Sequence, residues 1–124
     1  MICKHGKEQR ETYNREAHPV LKAVVAYIDG LSAVLYYTLG KKMGHPEVTV
    51  TSFYRPPKPG HPSFHSKYQA LDVRTNDRPF IWKQTIIDHL KKLQEIDHRI
   101  QFVLEDKGNW NEHLHIEFDT GDPV

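Results

Sequence analysis

The segment HLHIEF at 113–118 alternates polar and apolar side chains without a break, and that pattern constrains the fold more than any other feature of the chain. Successive side chains of a strand point to opposite faces. His113, His115 and Glu117 therefore share one face, and Leu114, Ile116 and Phe118 share the other. The segment ALDVR at 70–74 divides in the same way, with Ala70, Asp72 and Arg74 opposite Leu71 and Val73. The apolar sets must be buried, so the chain has to build a sheet with one face against a core. The opposite face then carries imidazoles and carboxylates. If the two strands are neighbours, Asp72 and His115 point into one cleft.

The remaining patterns supply the cover for such a sheet. Val20, Leu21, Val24, Val25 and Ile28 recur at helical steps, which predicts a helix over 15–27, a break at Asp29-Gly30, and a second helix over 31–39 stopped by Gly40. Residues 48–54 are rich in β-branched and aromatic types and read as a strand. Four prolines at 56–62 exclude helix and ladder pairing there. A helix is expected over 79–96, with Ile81, Ile86, Ile87, Leu90 and Leu93 as its apolar stripe and Trp82 in the core. A strand is expected over 100–104, followed by a turn at 106–109. The expected fold is an α+β domain with a small, mostly antiparallel sheet packed with helices. With 124 residues there is room for one domain, 15–124, after a loosely held, flexible segment at 1–14.

Composition excludes several classes of function. Seventeen basic and sixteen acidic residues give a net charge of +1, so neither a nucleic acid nor an anionic membrane is an expected partner. The apolar stretch 20–39 is interrupted by Lys22, Asp29, Gly30 and Ser32, so no membrane span is expected. The polar start MICKHGKEQRETYNRE is unlike a signal peptide, which implies synthesis and retention in a cytoplasm unless another system exports or releases the protein. Cys3 is the single cysteine, so an internal disulfide and a cysteine-rich zinc site are both excluded. Cys3 and His5 read as an incidental pair.

Asp72 and His115, joined by His65 from the preceding loop, offer one oxygen and two nitrogens, a donor set suited to one zinc ion with a fourth position open to water. Glu112 stands an odd number of residues before His115, so it reaches the same cleft only if the chain bends before His113. There it would serve as general base and then acid. His113, already on the correct face, is the competing catalytic candidate. Arg55, at the end of a strand, would polarise a carbonyl or hold a substrate carboxylate. Ser63 would bind substrate or orient His65. Trp110 is expected to line the cleft or to anchor the turn before Glu112, and Tyr54 and Tyr68 to be cleft walls or packing. The other histidines are expected to be filler or structural: His61 in the loop, His18 and His45 structural or exposed, His89 and His98 solvated or capping.

Ser63-x-His65-x-x-x-x-Ala70-x-Asp72, then Glu112-x-x-His115, with Tyr54-Arg55-Pro56 upstream, resembles the zinc D-Ala-D-Ala carboxypeptidase family of LAS-type metallopeptidases. That family takes in van-type dipeptidases and phage endolysins that cut between L-Ala and D-Glu. The resemblance spans roughly 48–118. It implies a hedgehog/D-Ala-D-Ala peptidase-like fold with a zinc cleft on the sheet. It also implies His65, Asp72 and His115 as ligands of one Zn²⁺, Glu112 as base, Arg55 as the transition-state or substrate arginine, and Ser63 in peptide binding. The implied activity is hydrolysis of peptide bonds in peptidoglycan stem peptides or D-Ala-terminated peptides. The alternative is a zinc-stabilised domain that binds a peptide or protein without catalysis. One departure stands out: where the family commonly has glycine, three residues after the first histidine, this chain has Tyr68.

Overall fold

The computed structural model describes residues 1–54 and 67–121. Its elements run β1 (Ile2–Cys3), α1 (Gly6–Glu16), α2 (Pro19–Leu39), a short 3₁₀ turn (Lys41–Met43), β2 (Thr49–Ser52), β3 (Ala70–Arg74), α3 (Phe80–Ile96), β4 (Ile100–Glu105) and β5 (His113–Phe118). The architecture is α+β, and among the described residues the strands form one mixed sheet in the order β1-β2-β3-β5-β4. β1 runs parallel to β2, while β2–β3, β3–β5 and β5–β4 are antiparallel. Both alternating segments become strands with the predicted bounds, 70–74 and 113–118.

Their apolar faces form the centre of the core. Leu71, Val73, Leu114, Ile116 and Phe118 are almost fully buried, together with Leu21, Val25 and Ile28 of α2 and Trp82, Ile86 and Leu90 of α3. The indole Nε1 of Trp82 donates to Ser32 Oγ at 2.9 Å, which satisfies two polar groups that the helix–helix contact would otherwise strand. Arg78 stacks over Trp82 at 4.5 Å and donates to the carbonyls of Met43, His45 and Glu47, clasping the linker that leads from α2 to β2.

Three expectations are corrected. The chain start is not a loose segment: Ile2–Cys3 joins the sheet through Ile2 N–H to Val48 O (2.8 Å) and Lys4 N–H to Val50 O (2.9 Å), and Gly6–Glu16 is helical. Its anchor is Tyr13, buried and edge-on to Phe53 at 5.4 Å. Next, 19–39 is one unbroken helix, with no break at Asp29-Gly30. Glycine in a helix costs about 1 kcal/mol, whereas each buried Leu, Val or Ile of the stripe contributes about 1.5–3 kcal/mol, so the stripe prevails. The Asp29 carboxylate reaches away from the helix, accepting from Val48 N at 2.8 Å and from the Met1 nitrogen at 3.0 Å. Finally, Ile81 is about half exposed rather than part of the α3 stripe. It lies five residues before Ile86, about 140° around the helix, whereas Trp82, Ile86 and Leu90 follow one another at four-residue steps.

The α2 helix is long and apolar enough to cross a membrane by length and composition. Its buried residues, Leu21 through Leu35, are spent on this core.

Candidate metal cluster and cleft

β3 and β5 pair with Asp72 opposite His115, Arg74 opposite His113 and Ala70 opposite Glu117. β4 adds Glu105 opposite His113 and Val103 opposite His115. One face of three adjacent strands therefore gathers two imidazoles and the carboxylates of Asp72, Glu105 and Glu117. A cleft of about 630 Å³ opens on this face, with Asp72, Arg74, Glu105 and His113 among its walls and Trp110 on its rim.

The Asp72–His115 convergence expected from alternation is present: His115 Nδ1 lies 3.0 Å from Asp72 Oδ1. Two donors on one tetrahedral zinc, each about 2 Å from it, stand about 3.3 Å apart, so this pair fits a shared ion. The other ring nitrogen of His115 is 2.9 Å from Glu117 Oε1, the carboxylate partner that orients a ligating imidazole. Burial alone would lower the His115 pKa, but the hydrogen bonds and charges of Asp72 and Glu117 outweigh it and raise the value.

His113 is arranged similarly. Its Nδ1 lies 2.8 Å from the Asn111 carbonyl, which can only accept, so Nδ1 carries a proton and donates it, leaving Nε2 for other partners. That Nε2 is 3.4 Å from Glu105 Oε1, and Glu105 Oε1 is 3.9 Å from His115 Nδ1. One ligand atom from each of Asp72, Glu105 and His113 lies within 4.8 Å of the others, close enough to hold a metal ion. Asp72 is buried, His113 half-buried and Glu105 exposed.

Glu105 escaped the sequence reading because its strand was ended at Leu104. The strand continues one residue further, to a pairing with His113 that local propensity does not reveal. The available signal was the parity of Gln101, Val103 and Glu105.

Glu112 lines the cleft, as the expected bend allows. The chain does bend before His113, through Asp106 and Gly108 with positive φ, and Glu112 N–H closes the turn on Asn109 O at 3.0 Å. The carboxylate is nevertheless buried in a nest of donors: Thr75 Oγ1 at 2.7 Å, Gly108 N at 2.9 Å and Lys83 Nζ at 3.1 Å. Burial would raise its pKa, yet these donors hold it below the usual glutamate range. Glu112 thus ties the 106–112 turn to β3 and α3.

Tyr68 is not among the described walls of this cleft. Its ring stacks on Tyr54 (4.7 Å, 16°) and approaches Phe53 (5.8 Å), while its backbone adopts φ 58°, the conformation that glycine would adopt freely. Trp110 is 82% exposed, its carbonyl held by Asn76 Nδ2, and so presents a bare indole at the rim. His65, Arg55, Ser63 and His61 lie outside the described residues. Of the remaining histidines, His18 caps α2 through Nδ1 to Val20 N (3.1 Å), His45 meets Arg78 and Asp77, and His89 bonds the Tyr27 hydroxyl (2.6 Å).

Comparison with protein-family models, curated proteins and solved structures finds no match to this chain.

Proposed function

We propose that the chain is a zinc-dependent hydrolase of peptide bonds in bacterial cell-wall peptides, of the D-Ala-D-Ala carboxypeptidase or L-Ala-D-Glu endopeptidase kind, built on a hedgehog/D-Ala-D-Ala peptidase-like sheet. The observation that carries this reading is the convergence of Asp72, Glu105, His113 and His115 on one sheet face at an open cleft. The substrate class comes from the sequence resemblance alone.

Asp72 and His115 would hold the zinc, with His65 by resemblance as the third ligand, and Glu117 would fix the His115 ring. Zinc, when bound, supplies a Lewis acid that polarises a carbonyl and makes water acidic. Glu105 is the carboxylate best disposed to accept a proton from attacking water and return it to the departing amine, because it is exposed in the cleft beside both imidazoles. His113 Nε2 would orient that water or an oxyanion. Glu112 would hold the turn that carries His113. Trp110 offers a flat apolar surface to the peptide, and Arg55 and Ser63 keep the roles implied by resemblance.

Mass spectrometry of muropeptides incubated with the purified protein, with and without chelator, tests the activity and names the bond cut. Glu105→Gln is expected to reduce turnover at least about 100-fold with zinc content unchanged. Glu112→Gln is expected to lower thermal stability and retain turnover in the molecules that stay folded. The reverse pattern would restore Glu112 as the base. A second reading, a zinc-stabilised peptide- or protein-binding domain, is favoured by the closed bonding of His115, whose two ring nitrogens both meet carboxylates. Intact muropeptides with stoichiometric zinc would select it.

A further inference from the structure

The carboxylates around the cleft are engaged by groups other than Arg74. Asp72 is held by His115 (3.0 Å), Glu112 by Lys83 (3.1 Å), Asp77 by His45 (3.5 Å) and Arg78 (3.9 Å), and Glu105 by His113 (3.4 Å). The Arg74 side chain makes no hydrogen bond or ion pair among the described residues, although it stands two residues from Asp72 and directly opposite His113. It is half-buried at the end of β3, the central strand of the sheet, where its backbone pairs with His113 of β5. Its guanidinium is open to water at the cleft and its planar donor fork has no internal acceptor among the described residues, so a carboxylate ligand can take up the fork without displacing a protein partner. Lys4, from the segment after β1, adds to the same cleft a second positive charge with no ion-pair partner among the described residues. The cleft is thus divided, with carboxylates and imidazoles at Asp72, Glu105 and His113 and unused positive charge at Arg74 and Lys4.

We propose that Arg74 is a specificity-determining residue that binds a carboxylate of the ligand while the neighbouring amide lies over the Asp72–Glu105–His113 cluster. The substrate class assumed here rests on the function proposed above, but the charge-selective subsite does not require catalysis. The carboxylate has two possible sources: the free C-terminus of a peptide, or an acidic residue within it. In either case the paired donors of Arg74 match a planar carboxylate in a way that a lysine ammonium does not.

The test is calorimetric titration of the full chain as purified, with a parallel arm in chelator so that cleavage does not contribute. The probes are N-acetyl-L-Lys-D-Ala-D-Ala as free acid and as C-terminal amide, and N-acetyl-L-Ala-D-Glu with one free carboxylate and as the diamide. In at least one pair the acid is expected to bind about tenfold or more tightly than the amide. The gap closes in Arg74→Gln and shrinks in Arg74→Lys, which keeps the charge and loses the fork. The pair that shows the gap identifies the source of the carboxylate. Equal binding of acid and amide in both pairs overturns the assignment, as does the absence of saturable binding by every acid. A gap that persists undiminished in Arg74→Lys, or in an Arg74→Gln variant with a cooperative melt, also overturns it. If muropeptides are left uncut while the Arg74-dependent gap is present, the hydrolase reading fails and the carboxylate subsite stands.

Discussion

Tyr68 holds a conformation that costs a non-glycine residue about 1–2 kcal/mol. The ring offsets this through its stack on Tyr54 and its contact with Phe53, since an aromatic pair contributes about 0.5–1.5 kcal/mol beyond the area it buries. Glycine would relieve the strain and lose both contacts while adding chain entropy to the unfolded state. Tyr68→Gly is therefore expected to destabilise the protein by about 1–2 kcal/mol, and Tyr68→Phe to change stability by less than about 0.5 kcal/mol, as read by urea denaturation. A stabilised glycine variant would show that the strain outweighs the stack. The departure at this position was visible in the sequence. Its resolution was not, because the partner that compensates, Tyr54, lies across the segment outside the described residues. The side-chain partners of Glu112 were hidden from the sequence for a related reason, and the place of Glu105 in the cluster because its strand runs one residue further than expected. Parity along one strand tells which face a side chain takes, but Glu112 sits before its strand, where Thr75, Lys83 and Gly108 determine its direction.

At the scale of elements, period-two alternation was the most legible signal, and it placed Asp72 and His115 on the same face before any pairing was known. Helical breaks were less legible, because a local glycine competes with a stripe whose value depends on burial elsewhere. Gly30 shows the balance: a Cβ built on it meets nothing within 4 Å. Gly30→Ala is expected to raise stability by about 0.5–1 kcal/mol, seen as an upward shift in Tm, since nothing must move to accept the methyl group. β1 was unreadable from sequence because a two-residue strand exists only through pairing with β2. The end of α3 gives a pH test. The Arg99 guanidinium and backbone N–H hold the Asp97 carboxyl down to about 2. A depressed carboxylate pKa contributes stability above its ordinary value of 3.8 and loses it as pH falls through about 2. Asp97→Asn should therefore melt at a slightly lower temperature than the parent at pH 6, and the difference should disappear by about pH 2. Arg99 is exposed and Asp97 partly so, so added salt should shrink the difference as well.

For the molecule as a whole, the donor cluster and the core occupy opposite faces of the same strands, so a metal held by one should stabilise the other. Asp72 lies between Leu71 and Val73, and His115 between Leu114 and Ile116, all four apolar neighbours being buried. An ion joining β3 to β5 would have to be released before those strands could separate. Binding to the folded state at free zinc 100 times its dissociation constant stabilises by about 2.7 kcal/mol. For a domain of this size, that corresponds to a rise in Tm of roughly 10 °C. Zinc titrated into the chelator-treated protein should therefore raise Tm by about that amount in scanning calorimetry. Asp72→Asn should remove most of the rise, because Asp72 faces His115 and also belongs to the Glu105–His113 cluster. His115→Ala and His113→Ala then separate two ways of holding the ion. If His115 is the ligand and His113 only faces the substrate, the first variant loses the rise and the second keeps it. If the ion sits on Asp72, Glu105 and His113, the order reverses. A rise that survives Asp72→Asn undiminished would place the metal away from this sheet face, and the proposed chemistry would lose its site.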